Sequence, residues 1–201
     1  EALKLEQDAI VSEERRLFSF LQALGVAISA DNRESTLHRL IVEGAMKVTS
    51  SKGGAFYAYD ETRKMLVPRF CSDQCAPLIH LTDKVLTQAE ANPSSLLSTL
   101  RWQAIGMENG MLGGVFTSQR SVHVDDLAGH ASMKQPSNSH QQNVTVMAGP
   151  LSSGDRRLGV LAVTADSTSQ HFSQNDFEVF NSLVEQSAFA LASARAHQEM
   201  Q

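Results

Sequence analysis

Apolar residues recur at helical spacing near both ends of the chain and in strand-like runs between them. Leu3, Ile10, Leu17 and Leu24 stand seven residues apart, joined by Leu21 and Ile28, and predict a helix over 3–29. Glu6 and Glu13 occupy the companion heptad positions, so the early seam is weak and the apolar stripe broadens only after Leu17. Asp31 and Glu34 give a second start signal. Leu37, Leu40, Ile41, Ala45 and Val48 follow at helical spacing, up to about Ser50. Residues 55–59 and 65–71 read as strands around a turn at 60–64, with Pro68 marking an edge or a bulge.

The middle of the chain is less periodic. Residues 77–81 read as extended, 84–91 and 94–104 as short helices, and 110–114 as a flexible glycine-containing turn before 115–118. Residues 122–124 are a short strand. Residues 125–130 open a helix or a loop, Asp125-Asp126 being most simply an N-cap pair. The polar stretch 134–143 has no periodicity and reads as a mobile loop. Residues 146–151, a turn at 152–155 and the nearly continuous apolar run 158–165 form a hairpin whose second strand is central. Ser173 and Asp176 then make a near capping box, with Asp in place of the usual Glu. It starts a helix over 174–197 with Phe177, Phe180, Leu183, Val184, Ala188 and Leu191 on its apolar face. The order predicts an α+β domain: an antiparallel sheet with helices packed on one face.

Composition narrows the functional classes. With 201 residues and 42% hydrophobic content, the chain suits one globular domain plus flanking helices. The net charge of −5 and scattered Lys and Arg give no nucleic-acid footprint. No apolar stretch reaches the ~20 residues of a membrane span, and residues 1–7 lack the apolar core of a signal peptide. Starting without Met, the chain is expected to be a piece of a longer protein. Two cysteines make no disulfide framework, so a reducing, cytoplasmic setting is expected.

Several local texts, in this order, resemble a GAF domain over roughly 31–195. Leu37 to Val48 followed by Gly54-Ala55-Phe56-Tyr57-Ala58-Tyr59-Asp60 resembles the family's first long helix and first strand. Gly110 to Val115, then Gln119-Arg120-Ser121-Val122-His123-Val124-Asp125-Asp126, resembles its glycine turn, short strand and Asp. Leu158-Gly159-Val160-Leu161-Ala162-Val163 resembles the penultimate strand, and Phe172, Asp176 and the helix to Arg195 resemble the close.

The resemblance implies a central antiparallel sheet of five to six strands with the N- and C-terminal helices packed on one face, and a non-catalytic small-molecule sensor in a larger, bacterial-style signalling protein. Residues 1–30 would be a signalling and dimerisation helix and 31–201 the sensor. The implied partners are an unidentified small ligand, a second copy paired through the terminal helices, and an effector domain such as a phosphatase or histidine kinase in the same protein. The pocket would be walled by 76–135 and roofed by 134–143. The residues expected to line it are Phe70, Trp102, Met107, Phe116, His123, Asp125, Met133, Val146 and Ala148. Trp102 would stack on a planar ligand or pack over the core. The methionines Met107, Met111, Met133 and Met147 suit a plastic apolar wall or simple filling.

The cofactor stays open. The Asn-Lys pair by which some GAF domains hold cyclic nucleotides is absent, and so is a cysteine placed to carry a bilin. Cys71, Cys75 and His80 form C-x3-C-x4-H, which starts a zinc site but lacks a fourth ligand nearby. The same cysteines admit a redox pair or a sulfoxide-reducing enzyme, although their spacing does not match the family's reductases. His123 is an axial ligand in a haem-sensor reading and a structural histidine in the plainer one. A ligand-free dimerisation module is the remaining alternative.

Overall fold

The computed structural model describes residues 2–29, 34–108, 110–133 and 139–200. Helix α1 (Ala2–Ser29) is followed by α2 (Glu34–Thr49), strands β1 (Gly53–Asp60) and β2 (Met65–Cys71), and helices α3 (Asp83–Ala91) and α4 (Pro93–Trp102). Then come β3 (Ile105–Gly106), α5 (Gly110–Ser118), β4 (Val122–Val124), β5 (Val144–Ser153), β6 (Arg156–Asp166) and α6 (Gln174–Glu199). Among the described residues the strands form one six-stranded sheet in the order β3-β2-β1-β6-β5-β4. Every neighbouring pair is antiparallel. This is the expected α+β architecture.

Strand alternation divides the interior in two. Phe56, Ala58, Met147, Leu161 and Val163 point to one face, where α1, α2 and α6 cover them with Phe20, Leu24, Ile41, Val42, Phe180 and Leu183. Their neighbours Ala55, Tyr57, Val146, Ala148, Val160 and Ala162 point to the other, beneath α5, Leu100 of α4 and the 71–81 segment. Both faces are buried, which is why 158–165 is almost uninterrupted in its apolar character. Pro68 sits opposite Tyr57 while Phe70 sits opposite Phe56, so Arg69 is the extra residue of a bulge. A residue without an N–H cannot continue a regular ladder.

Two local expectations are corrected, the turn at 110–114 and the N-cap role of Asp125-Asp126. Residues 110–118 are a helix rather than a flexible turn and extension. Met111, Leu112, Val115 and Phe116 bury one side of it, and that burial overrides the poor helical propensity of its glycines. Gly113 is required there, since a Cβ would collide with the Met107 carbonyl. Residues 125–130 form turns, with Leu127 buried and its N–H donating to the Val144 carbonyl at 2.9 Å, so Asp125 and Asp126 cap no helix. Of the loop expected over 134–143, residues 134–138 lie outside the described residues, as does Asp31. The end of that loop is anchored: the buried Gln141 amide donates to the carbonyls of Pro77 and Ile79 at 3.1 and 3.0 Å.

The terminal helices behave differently along their lengths. Phe20, Leu24 and Ala27 of α1 join the core, while Leu3 is 76% exposed and Leu5, Ile10 and Val11 are exposed with it. Glu13 of α1 accepts from the Asn175 amide at the start of α6, at 2.9 and 3.1 Å. The α6 capping box forms: Ser173 Oγ accepts from the Asp176 N–H at 3.1 Å, and Asp176 Oδ2 accepts from the Ser173 N–H at 2.7 Å. A Ser173→Ala substitution is expected to cost about 1 kcal/mol in urea unfolding. No helix among the described residues is long and apolar enough to cross a membrane.

Candidate functional site

A cavity of about 490 Å³ opens at the β2–β3 edge of the sheet, on the face away from the terminal helices. Met65, Ile105 and Gly106 form its sheet side, Leu78 to His80 and Thr82 a second wall, and Ser132 and Met133 a third. Gly110, at the start of α5, closes one end. The polar side chains reaching it are His80, Thr82, Gln103 and Ser132. Ser132 Oγ lies 2.6 Å from His130 Nδ1. Among the described residues, no Asp, Glu, Lys or Arg lines it. Small-molecule pockets in general combine such apolar walls with a few placed polar groups.

Of the nine residues expected at a pocket, Met133 lines this cavity. Met107, Phe116, Val146 and Ala148 lie in the same half of the core without reaching it. Val146 and Ala148 are fully buried, and Phe116 packs on Tyr59 with centroids 4.5 Å apart and the Arg157 guanidinium 6.0 Å from its ring. The other four lie elsewhere. His123 pairs with Met147 across β4 and β5 and shares its face, toward the helices. Its ring meets Phe172 and Phe177, and Nε2 stands 3.2 Å from Asp125, whose side chain is 82% exposed. Phe70 follows Phe56 onto the helical face. Trp102 is 84% exposed at the end of α4, so it neither covers the core nor stacks in the cavity.

Phe70 and Trp102 instead border a second, open groove of about 610 Å³, shared with Cys71, Arg69, Arg101 and the first turn of α2. At its rim the Arg195 Nη2 and Nε approach Glu34 Oε1 at 2.7 and 2.8 Å, and His38 Nε2 lies 3.4 Å away. His38 and Arg195 hold the Glu34 carboxyl at about 2, well below its ordinary 4.5. Arg195 makes the directed contact, for His38 Nε2 lacks hydrogen-bond alignment. Charged Glu34 therefore stabilises the fold above pH 4.5, and that contribution fades as pH falls towards 2. With the side chain 32% exposed, it is worth at most about 1 kcal/mol. The stability gap between the wild type and Glu34→Gln, measured by urea unfolding, is expected to narrow across that interval.

Cys71, Cys75 and His80 make no metal site: His80 turns to the first cavity, and no three metal-ligating side chains cluster among the described residues. Both cysteines are free thiols. Most of the cavity's lining falls within 76–135, and Met65, Leu78, Ile79, His80, Thr82, Gln103 and Ile105 were not among the residues expected at a pocket. The alternation of extended residues 77–81 was the available signal. The two-residue β3 that completes the site is too short to leave one.

This curled antiparallel sheet, helices on one face and a cavity beneath connectors on the other, has a family. The GAF domain model matches residues 31–192, and the chain belongs to that family. It is a regulatory domain of the kind found in signalling proteins. Among curated proteins no sequence match was found. The GAF domain of a phosphoenolpyruvate-protein phosphotransferase from Coxiella burnetii superposes with a TM-score of 0.65 at 14% identity, covering 92% of this chain and 98% of that one. The GAF-B domain of DevS from Mycobacterium smegmatis gives 0.60 at 18%, covering 84% and 100%. Free methionine-R-sulfoxide reductase from Neisseria meningitidis, with its substrate, gives 0.65 at 16%, covering 92% and 91%. At these identities the likeness is one of fold.

Proposed function

We propose that this domain is the sensor of a larger signalling protein and binds a small, uncharged, largely apolar molecule in the 490 Å³ cavity. The observation that carries this reading is the largely apolar wall made by Met65, Leu78, Ile79, Ile105 and Met133. A charged ligand would lose its hydration against such a wall. Ligand contacts across residues 78–82, 103–106 and 132–133 favour one arrangement of these connectors. The 78–82 segment continues from the end of β2, and β2 borders α2 and α4, giving a route to the helical face.

The relay then runs through α1 and α6. Exposed Leu3, Ile10, Phe18 and Val26 of α1 and Phe189 of α6 support pairing with a second copy. We place the domain in the cytoplasm, where its free thiols stay reduced, with an effector domain in the same protein. Structural neighbours include a GAF/HD domain protein from Geobacter sulfurreducens and a methyl-accepting chemotaxis protein, which supports that arrangement.

Native mass spectrometry of the purified chain tests the reading. A retained mass released on denaturation is expected, and Met133→Trp, which fills the half-buried rim, is expected to cut retention about tenfold or more while leaving the fold intact. Retention equal to wild type in that variant would refute the cavity as the binding site. A bare dimer, unchanged by Met133→Trp, would favour the ligand-free dimerisation module.

A further inference from the structure

The two cysteines have no part in the sensor reading, yet the fold brings them together at one spot. β2 ends at Cys71, and the chain turns so that the Cys75 N–H donates to the Ser72 carbonyl at 3.1 Å. The turn is fastened to the sheet. The Ser72 N–H donates to the Gly54 carbonyl and the Gly54 N–H to Ser72 Oγ, both at 2.9 Å. The Ala76 N–H donates to Thr164 Oγ1 at 3.4 Å. The thiols thereby lie within hydrogen-bonding reach of each other, beside buried Tyr57.

Their surroundings differ. Cys71 lines the 610 Å³ groove, and Arg101, held over the turn by Asp73 at 2.7 Å, stands near it. Cys75 is buried and lines none of the cavities described, with its sulfur 3.4 Å from the Ala76 carbonyl. Both residues are buried, Cys71 3% and Cys75 7% exposed; what separates them is that Cys71 borders the open groove beside a guanidinium and Cys75 does not.

We propose that Cys71 and Cys75 form a hydroperoxide-oxidisable dithiol, with Cys71 as the reacting thiol and Cys75 as the resolving one. The Cys71 thiolate attacks the outer oxygen of the hydroperoxide. The O–O bond breaks, Cys71 becomes a sulfenic acid, and the departing alkoxide or hydroxide takes up the proton that Cys71 gave. The Cys75 thiol then attacks the sulfenic sulfur, the S–S bond forms, and water leaves with the Cys75 proton. Two electrons pass from the two thiols to the peroxide. The hydrogen bond from Cys75, with Arg101 adding to it, draws the Cys71 thiol below its usual pKa range. The same bond, with burial, pushes Cys75 up. The disulfide tightens the 72–75 turn, and the chain leads from there directly into the 78–82 wall of the first cavity. The chemistry holds whether or not a ligand occupies that cavity, so its failure is distinguishable from failure of the sensor reading.

The test treats the full chain with a small molar excess of hydrogen peroxide, then denatures and alkylates it with iodoacetamide for intact mass and peptide mapping. Without peroxide both cysteines are expected to alkylate. After peroxide neither does, the map joins Cys71 to Cys75 within one chain, and dithiothreitol restores both. In Cys75→Ser, dimedone is expected to capture a sulfenic acid at Cys71 at least about tenfold faster than at Cys75 in Cys71→Ser, as the thiolate character given by Arg101 and its place on the groove dictate. Thiols that still alkylate after peroxide, a disulfide between chains, or faster capture at Cys75 would overturn the proposal. The wild-type measurement decides it even if a variant misfolds.

Discussion

Gly159→Ala is expected to destabilise the domain by about 4 kcal/mol, among the largest single-residue effects the fold permits. Gly159 lies in β6 at φ 155°, a conformation that side-chain-bearing residues rarely adopt. It faces Ala58 across the β1–β6 ladder. A Cβ there would run into the Tyr57 carbonyl and the Ala58 Cα. Both obstacles are backbone in the middle of the sheet, and neither has a rotamer to change. Relief requires parting the two strands that carry most of both core faces. For a chain of this size the loss lowers the thermal midpoint by roughly 8–16 °C. Gly114→Ala is the control: a Cβ at that exposed position of α5 meets open space. It is expected to be neutral or stabilising by up to about 1 kcal/mol. Thermal unfolding followed by circular dichroism compares the two, and a Gly159→Ala midpoint within a degree or two of wild type would contradict the clash.

Phe180→Ala is expected to cost 3–5 kcal/mol, in the range of large-to-small changes in packed cores. Phe180 is 0% exposed, one turn into the buried stripe of α6, and lies over Gly149 of β5. Its removal leaves a void between α6 and the sheet that Leu183, Val184 and the strand backbone cannot fill without moving the helix. Phe189, on the same helix, is 66% exposed. Phe189→Ala is expected to change chain stability by under about 0.5 kcal/mol while weakening the proposed pairing of copies. Urea unfolding and sedimentation therefore separate the roles: Phe180→Ala shifts the unfolding midpoint, and Phe189→Ala shifts the monomer–dimer balance. Equal unfolding shifts from both variants would mean that α6 does not use these two faces differently.

Much of the scaffold was readable because its signals are local. The capping box at Ser173 and Asp176, the hairpin turn, which narrows to Gly154-Asp155, and the apolar run over 158–165 each depend on neighbours a few residues away. Pro68 marked the bulge for the same reason: a missing N–H interrupts a ladder wherever it falls. The glycine-rich 110–118 stretch went the other way. Its composition argues for a turn, yet tertiary burial of Met111, Leu112, Val115 and Phe116 makes it a helix. His123 and Phe70 show a second limit. A strand's alternation says that neighbours face opposite sides, but the parity that assigns a residue to the helices or to the cavity is set by its cross-strand partner.

The chain by itself determined the α+β class, the two hairpins, the terminal helices and the family, because periodicity, caps and turns are written within short windows. Only the tertiary structure decided which face each strand residue serves, where the apolar-walled cavity opens, and that Cys71 and Cys75 meet beside Arg101. These depend on strand register and on contacts between residues far apart in sequence, such as Gln141 with Pro77 and Ile79. No local pattern specifies such contacts; they are settled when the whole sheet closes over two cores at once.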